Sequence, residues 1–390
     1  RYWRDWSSDV CSSDLGGSLP SGVCVTLPRH VSVFSFPPTT MNRIAFVSSL
    51  LLAAHVVAQT SLFLPPEYER AWGRGSTALL GGNATRTQLV YAAPFAPGTV
   101  VTGIRFRPTT SNLDRAAFTA SIQISCSSGP NVPGTLSTTF ALNHGNDLAV
   151  VLPQQTVNIP AMPANRGTGI MATIPFATPF VYGLNGNTNL VVEVQVFSRS
   201  AGASWSTDRA FASTNGRVAN HGIGCGAGTI GGTTTAASYV AGGTFNVTLA
   251  NAPANAPALL APSFDQKELL PAVLLAFNLG QFGLAPNCDA LVAGELGTIG
   301  FTADALGAVS VPVPIPATAS QFGIGFQWLY LVPPTAINPL GVEITAARSA
   351  WVGPEVCTPF YQYVWDLSSA TVATGNATTN SIPVAELILQ

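Results

Sequence analysis

Apolar and polar residues alternate with a period of two along many short stretches of the chain. Between Phe118 and Cys126 every second residue is apolar, and Thr, Ser or Gln fill the positions between them. The same alternation occurs in residues 245–249, and residues 324–332 place Ile, Phe, Trp, Tyr and Val on one face. A period of two predicts β-strands that are buried on one side.

Two further stretches indicate how the strands sit in their sheets. Residues 188–197 are apolar at nearly every position, so they predict a central strand from which Glu193 points to solvent. Residues 100–107 predict a strand with Arg105 and Arg107 on its solvent face.

Proline and glycine mark the limits of the predicted strands. Residues 309–316 alternate Val and Ile with Ser and Pro, and because proline cannot donate to a β-ladder, this strand is expected at a sheet edge. Dipeptides such as Asn185-Gly186 supply the residues that tight turns require. Many short strands joined by such turns predict an all-β fold built from antiparallel sandwiches.

The strands divide into two predicted β-sandwich domains, both antiparallel and jelly-roll-like. The first covers residues 59–249 and the second covers residues 264–390. Residues 250–263 are rich in Ala, Pro and Asn, a composition typical of an interdomain linker. The second domain opens with a Leu-rich stretch, residues 267–284, where we expect the only short helix of the chain.

A secretory signal peptide is predicted to precede the first domain. From Met41 the chain reads MNRIAFVSSLLLAAHVVAQT, with Arg43 followed by an apolar run and by small residues up to Ala58. This three-part pattern predicts cleavage near Gln59 and a secreted or cell-surface location. The apolar run is shorter than the roughly 20 residues that span a bilayer, so no membrane span is expected after cleavage.

Residues 1–40 lack such a pattern and are excluded from the fold prediction. Residues 1–15 closely resemble translated sequencing-adapter DNA, and residues 16–40 then correspond to upstream read-through. We expect this region to be non-native and disordered.

Charge and cysteine content limit the class of protein. Charged residues make up 9% of the chain and the formal net charge is −2, without a basic stripe, so nucleic acid is not an expected partner. Outside the first 40 residues the cysteines are Cys126, Cys225, Cys288 and Cys357, an even number in an oxidising compartment. Pairing Cys126 with Cys225, and Cys288 with Cys357, keeps each disulfide within one predicted domain, and no closely spaced pair indicates zinc.

Known catalytic and metal-binding motifs are absent from the sequence. There is no G-x-S-x-G elbow, no H-E-x-x-H and no phosphate-binding or dinucleotide-binding loop. His144 and His221 lie in turn-like segments, where hydrogen bonds to local backbone are expected rather than a metal. We therefore expect no catalytic residues and no resident metal.

Calcium is the one cofactor for which candidate ligands are found. Asn143, Asn146 and Asp147, or Asp208 together with Asn215, supply the oxygen atoms that calcium prefers. No spacing of the D-x-D-x-D kind accompanies them, so the expected cofactor is none.

The segment around Trp205 suggests a carbohydrate site. Trp205 offers an apolar face to a sugar ring, while Asp208 and Arg209 can bond to its hydroxyls. The alternative is a surface loop with a packed tryptophan and a local ion pair. A glycan-active hydrolase would need only two carboxylates across a cleft, and here Glu193 and Glu343 are both expected to face solvent instead.

Several segments resemble uncharacterised exported two-domain β-sandwich proteins of planctomycetes and related environmental bacteria. PFVYGLNGNTNLVVEV at residues 179–194 is similar to a central strand of their first sandwich. LGQFGLAPNC, VPVPIP and PLGVEITAARSAWVG follow one another in the order of their C-terminal module. The resemblance covers about half of the chain after Gln59 and implies an architecture and a habitat, without an activity.

These patterns favour an exported, non-catalytic protein for surface display, adhesion or extracellular assembly. The alternatives are a carbohydrate-binding protein that uses Trp205, Asp208 and Arg209, and a glycan-active hydrolase. The partners expected are an extracellular glycan or further copies of the chain, since sandwich edges invite pairing between chains.

Overall fold

The structure of the protein, a computed structural model, describes residues 60–73, 75–109, 114–164, 168–200, 205–211, 215–270, 273–274, 277–319, 322–353, 361–378 and 381–390. The predicted signal peptide at residues 41–58, the first 40 residues and Cys357 lie outside these ranges.

β-Strands form nearly all of the regular structure, which confirms the all-β prediction, and no α-helix occurs among the described residues. The first group of strands is β1 (Thr60–Leu64), β2 (Gly75–Thr77), β3 (Thr85–Ala92), β4 (Val100–Phe106), β5 (Phe118–Gly129), β6 (Ala149–Ile159), β7 (Ala172–Val181), β8 (Asn189–Arg199) and β9 (Thr207–Phe211). The second group is β10 (Arg217–His221), β11 (Thr229–Gly232), β12 (Thr244–Ala250), β13 (Pro257–Ser263), β14 (Glu268–Leu270), β15 (Val273–Leu274), β16 (Phe277–Asn278), β17 (Asp289–Ala290), β18 (Ile299–Thr302), β19 (Val309–Pro314), β20 (Phe322–Leu331) and β21 (Val342–Val352). The last group is β22 (Tyr361–Asp366), β23 (Asn376–Ala377), β24 (Ser381–Pro383) and β25 (Ala385–Leu389). Single-turn 3₁₀ helices cover Pro66–Tyr68, Phe140–Asn143, Ala236–Ser238 and Leu279–Phe282.

The first hydrophobic core lies between two antiparallel sheets. One sheet has the order β1-β25-β4-β7 and the other has the order β23-β22-β3-β8-β5-β6. The alternating residues of β5 from Phe118 to Cys126 are all buried in this core, as predicted. β8 lies between β3 and β5 and is buried from Asn189 to Val196, which confirms the predicted central strand. Each fully buried Val or Leu contributes about 1.5 to 3 kcal/mol to folding.

The second hydrophobic core lies between the sheets β10-β21-β20-β13-β18 and β11-β12-β19. Phe326, Trp328 and Tyr330 of β20 are buried against Phe245 and Val247 of β12, so the aromatic face predicted for residues 324–332 is confirmed. β19 lies at the edge of its sheet, as its prolines predict.

The second core is inserted into the first instead of following it. Strands β22, β24 and β25, from the end of the chain, pair with β3, β9 and β4. The two main sheets of the second core use only strands between Arg217 and Val352. The predicted boundaries at 59–249 and 264–390 therefore do not match the sheets, because each predicted domain contributes strands to both cores.

Two predictions about the middle of the chain are wrong. The expected linker at 250–263 contains β13, which pairs with β18 on one side and β20 on the other. The Leu-rich stretch at 267–284 contains β14, β15 and β16, with a single helical turn of the 3₁₀ type at Leu279–Phe282. Proline content misled the first prediction, since Pro257 and Pro262 both lie within β13.

The disulfide connectivity also differs from the prediction. Cys225 is bonded to Cys288, with their Cα atoms 4.8 Å apart, and Cys126 is a buried free thiol. Cys126 points from β5 into the first core, whereas Cys225 and Cys288 lie beside the second. Burial, with a smaller contribution from Asp147, raises the pKa of the Cys126 thiol, so it stays protonated.

Residues 65–73, here called the bridging segment, lie between the two cores. The Tyr68 ring stacks on Trp351 of β21, with ring centroids 4.9 Å apart and planes 3° from parallel. Arg217 of β10 donates a hydrogen bond to the carbonyl of Trp72. The bridging segment thus joins the inserted core to the core that surrounds it.

This topology predicts different behaviour for two fragments of the chain. Residues 215–353 contain every strand of the second core and are expected to unfold cooperatively as an isolated fragment. Residues 59–249 lack β22, β24 and β25, so β3, β4 and β9 lose partners and no cooperative transition is expected. Circular dichroism during heating measures both, and cooperative unfolding of residues 59–249 alone would contradict the inserted arrangement.

Candidate functional site

The predicted sugar-binding group lies inside the first core. Trp205 and Asp208 are fully buried, and the Trp205 ring centroid is 6.1 Å from that of Phe118. Arg209 donates to the Tyr363 hydroxyl at 3.2 Å. Because Trp205 and Asp208 are fully buried, these residues present no common surface to a sugar, and the predicted site is not formed.

Asp208 instead forms a buried ion pair with Arg107. Its Oδ2 accepts hydrogen bonds from Arg107 Nε and from the Gly73 backbone N–H, both at 2.7 Å. Arg107 also donates to the carbonyls of Tyr68 and Ala71, at 2.8 and 2.6 Å. Both charged side chains are fully buried, so the prediction that Arg107 faces solvent is wrong. Burial lowers the pKa of Arg107, although the charge and hydrogen bond of Asp208 oppose that shift.

A second polar cluster lies on the outer face of the sheet that contains β3, β8 and β5. Ser127 Oγ lies 2.7 Å from His144 Nδ1, and His144 Nε2 lies 3.2 Å from Glu193 Oε2. Arg86 donates to both carboxylate oxygens of Glu193, at 3.0 and 3.1 Å. Gln88 Nε2 contacts the same histidine nitrogen at 2.9 Å.

The order hydroxyl, imidazole, carboxylate is that of a hydrolase triad, but the cluster is closed. Ser127 is wholly buried, so its hydroxyl is shielded from a substrate carbonyl. The carboxylate of Glu193 is shared with Arg86 and Gln88 instead of being reserved for His144. These contacts hold residues 131–147 against the sheet.

Glu193 therefore does not face solvent, contrary to the prediction. The alternation places it correctly on the outer face of β8, but Phe140 and Asn143 cover that face and are themselves buried. Burial alone raises the pKa of Glu193, yet the hydrogen bond and charge of His144, together with Arg86, outweigh it and hold that pKa below the ordinary value.

His221 lies in different surroundings from His144. It is buried on β10, with its Nδ1 3.0 Å from Ser349 Oγ and its ring centroid 5.7 Å from that of Trp72. Both histidines bond to side chains, so the expected bonding to local backbone does not describe them.

An open apolar groove of about 720 Å³ lies on the outer face of the second core. We call it the β13–β18 groove, and the residues that define it are Pro257, Leu259, Gly300, Phe301, Leu329 and Leu331. Gly300, Leu259 and Leu329 are paired across β18, β13 and β20, so they form one row on this face. Leu259 and Leu331 remain 43% and 46% exposed, and none of the described residues that line the groove is charged.

The groove is the uncovered part of this row. At its other end Leu329 pairs with Ile344 of β21, which is buried with Cys288 and Ala285. The chain around the disulfide therefore covers one end of the row, whereas Leu259 is left open to solvent. Sequence reasoning missed the groove, although Leu329 and Leu331 break the alternation of residues 324–332 by placing apolar groups on the face opposite the aromatic row.

A polar cleft of about 640 Å³ lies beside the disulfide. Asp114, Asp289 and Asn287 line it, together with Cys225 and its neighbouring glycines. The Asp114 carboxylate accepts a hydrogen bond from the Ala164 backbone N–H at 2.8 Å, which fixes its position at the cleft wall. This cleft suits a polar ligand, in contrast to the apolar groove.

No cluster of three or more His, Cys, Asp or Glu side chains that could hold a metal ion occurs in the part of the chain that the structure describes. Among the candidate calcium ligands, the Asn143 Oδ1 accepts from Asn131 and from the Ser137 N–H. Asp147 accepts from the Ser128 N–H, and Asp208 is bound to Arg107. Within the same ranges, no helix has the length and apolar character needed to cross a membrane.

Removing the charge of Asp208 tests the role of the buried ion pair. Asp208→Asn leaves Arg107 buried without its counter-charge, so the free energy of unfolding is expected to fall by about 3 to 5 kcal/mol. Urea unfolding measures this change. The matched control is Glu69→Gln, whose partly exposed pair with Lys267 should contribute less than about 1 kcal/mol. Equal effects of the two substitutions would refute the assignment.

The lowered pKa of Glu193 predicts a stability contribution that depends on pH. A carboxyl group whose pKa is lower in the folded state stabilises the protein above its unfolded pKa and loses this contribution as pH falls through the folded value. Glu193→Gln should therefore lower the free energy of unfolding by about 1 to 3 kcal/mol at neutral pH. The difference from the wild type should shrink in acid, and a difference that is constant from neutral to acidic pH would contradict the prediction.

Comparison with known proteins does not assign a function to the chain. No protein-family model matches the chain, and no curated protein matches it. The open features of the described residues include the apolar β13–β18 groove and the polar cleft beside the disulfide.

Proposed function

We propose that this chain is an exported, non-catalytic binding protein that serves surface display, adhesion or extracellular assembly, with the β13–β18 groove as its contact surface. The observation that carries the proposal is an open groove of about 720 Å³ without a charged residue in its lining. Ligand pockets commonly enclose about 300 to 1,000 Å³, so the groove can take an apolar side-chain cluster of a partner.

The chemistry of the groove favours an apolar partner segment. Burial of apolar surface contributes about 25 cal/mol per Å², and exposed leucines that adjoin one another mark contact surfaces. Leu259, Leu329 and Leu331 supply this surface from two neighbouring strands. The strands keep the groove open in the absence of a partner, because both are paired on each side within the sheet.

Other features support export and a non-catalytic role. The pattern at residues 41–58 and the Cys225–Cys288 disulfide both suit an oxidising, extracytoplasmic compartment. The resemblance to exported planctomycete proteins points the same way. The contacts of the Ser127 hydroxyl resemble those of a catalytic triad, but this hydroxyl is enclosed.

An apolar fluorescent probe tests whether the groove binds. Residues 59–390 are expected to bind bis-ANS at one principal site, with fluorescence that saturates. Leu259→Glu places a charge in the groove and should weaken binding at least about tenfold, as loss of a central contact does.

The matched control is Leu367→Glu. Leu367 is 46% exposed, close to the 43% of Leu259, and it follows β22 in the first core, away from the groove. Its substitution should leave binding unchanged. Equal binding by Leu259→Glu and the wild type, with both proteins folded by circular dichroism, would refute the groove as the contact surface.

A further inference from the structure

β18 ends its sheet with one side unpaired among the described residues. It pairs with β13 alone, as the last strand in the order β10-β21-β20-β13-β18. Ile299, Gly300 and Thr302 are exposed, and Phe301 is half-buried. The backbone N–H and C=O groups on the open side can therefore accept a further strand.

Three other sheet edges carry proline, which opposes such pairing, whereas the edge strands β1 and β11 resemble β18 in having neither proline nor charge. Pro153 lies in β6, Pro175 in β7 and Pro312 in β19, and each of these strands ends its sheet. Proline and charge are the usual means by which edge strands are protected, and β18 contains neither.

The chemistry of this edge matches a second copy of itself. In an antiparallel pair about a two-fold axis, the backbone N–H groups of each strand meet the C=O groups of the other. An identical strand therefore satisfies the hydrogen-bonding groups of the edge without any change. Ile299 is 48% exposed and would be covered in such a pair.

The β13–β18 groove is compatible with the same partner. Its lining carries no charge, so two copies meet without repulsion. A Cβ atom at Gly300 would have only Leu259 Cδ2 within 4 Å, at 3.8 Å, which leaves space above this residue for a side chain of the neighbouring copy. Pairing at β18 brings the two grooves next to each other on one continuous sheet face.

We propose that β18 of one copy pairs antiparallel with β18 of a second copy, and that the two grooves form one apolar surface across the dimer. The dimer rests on the proposed function, since it joins the proposed contact surfaces of two copies. Contact about a two-fold axis closes on itself, so the product is a dimer and not a filament.

Sedimentation velocity of residues 59–390 over a range of concentrations tests the dimer. The wild type is expected to be dimeric at about 100 μM and to dissociate on dilution. Ile299→Lys and Ile299→Glu should each be monomeric, because each pair of β18 strands then carries two like charges. An equimolar mixture of the two variants should restore a dimer, because the charges across the axis are then opposite.

Ile337→Lys is the control for the same chemical change elsewhere. Ile337 is 71% exposed in the turn between β20 and β21, and its substitution should leave the dimer intact. Variants are compared only when their thermal unfolding midpoints agree with the wild type. Hydrogen exchange gives an independent measurement, since the amides of residues 299–302 should exchange more slowly in the wild-type dimer than after dilution.

Three results would each overturn the dimer: a wild-type monomer at about 100 μM, a dimer that persists in both Ile299 variants, or a mixture of the two variants that stays monomeric. The same samples titrated with bis-ANS separate this failure from that of the proposed function. A monomer that binds the probe through Leu259 would refute the dimer alone. Probe binding that does not depend on Leu259 would also refute the groove as the contact surface.

Discussion

The buried ion pair between Arg107 and Asp208 is the constraint on which the arrangement of the two cores depends. Transfer of either charge out of water is unfavourable by several kcal/mol, so the remaining donors of the guanidinium must also be satisfied. The bridging segment supplies the carbonyls of Tyr68 and Ala71 and is thereby fixed against β4 and β9. Its outer side then places Tyr68 against Trp351 of the inserted core. One electrostatic requirement in the first core thus determines where the second core is attached.

Local alternation was sufficient to predict those strands that are buried on one face, because each of them carries its own period, but it did not predict β13 to β16. It correctly identified β5 and the aromatic face of β20, whereas a continuous apolar run identified β8. It was insufficient for Arg107 and Glu193, since alternation tells which face of a sheet a side chain occupies and not whether another segment covers that face. Here the bridging segment covers Arg107 and residues 131–147 cover Glu193. Both misjudged charges lie under loops, where local sequence carries little information.

The insertion of the second core into the first could not be predicted from local sequence, for a different reason. Pairing between β3 and β22, or between β4 and β25, joins parts of the chain that are far apart in sequence. The sequence of a strand does not identify the strand with which it pairs. The groove could not be predicted from local sequence either, since Leu259 lies in a stretch whose prolines are typical of a linker. The apolar residues Leu329 and Leu331 were visible in the sequence, but their meaning depended on β13 and β18 being adjacent.

The pairing of the terminal strands has a consequence for the order in which the protein can fold. Thr60 of β1 lies opposite Leu389 of β25, and β25 also separates β1 from β4. The inserted core is complete once Val352 has been made, whereas the surrounding core requires the last strand of the chain. Because synthesis runs from the N-terminus, β3 and β4 must wait through the whole insertion for β22 and β25. The earliest strands are thus among the last to acquire their full set of contacts, and the inserted core is free to fold before them.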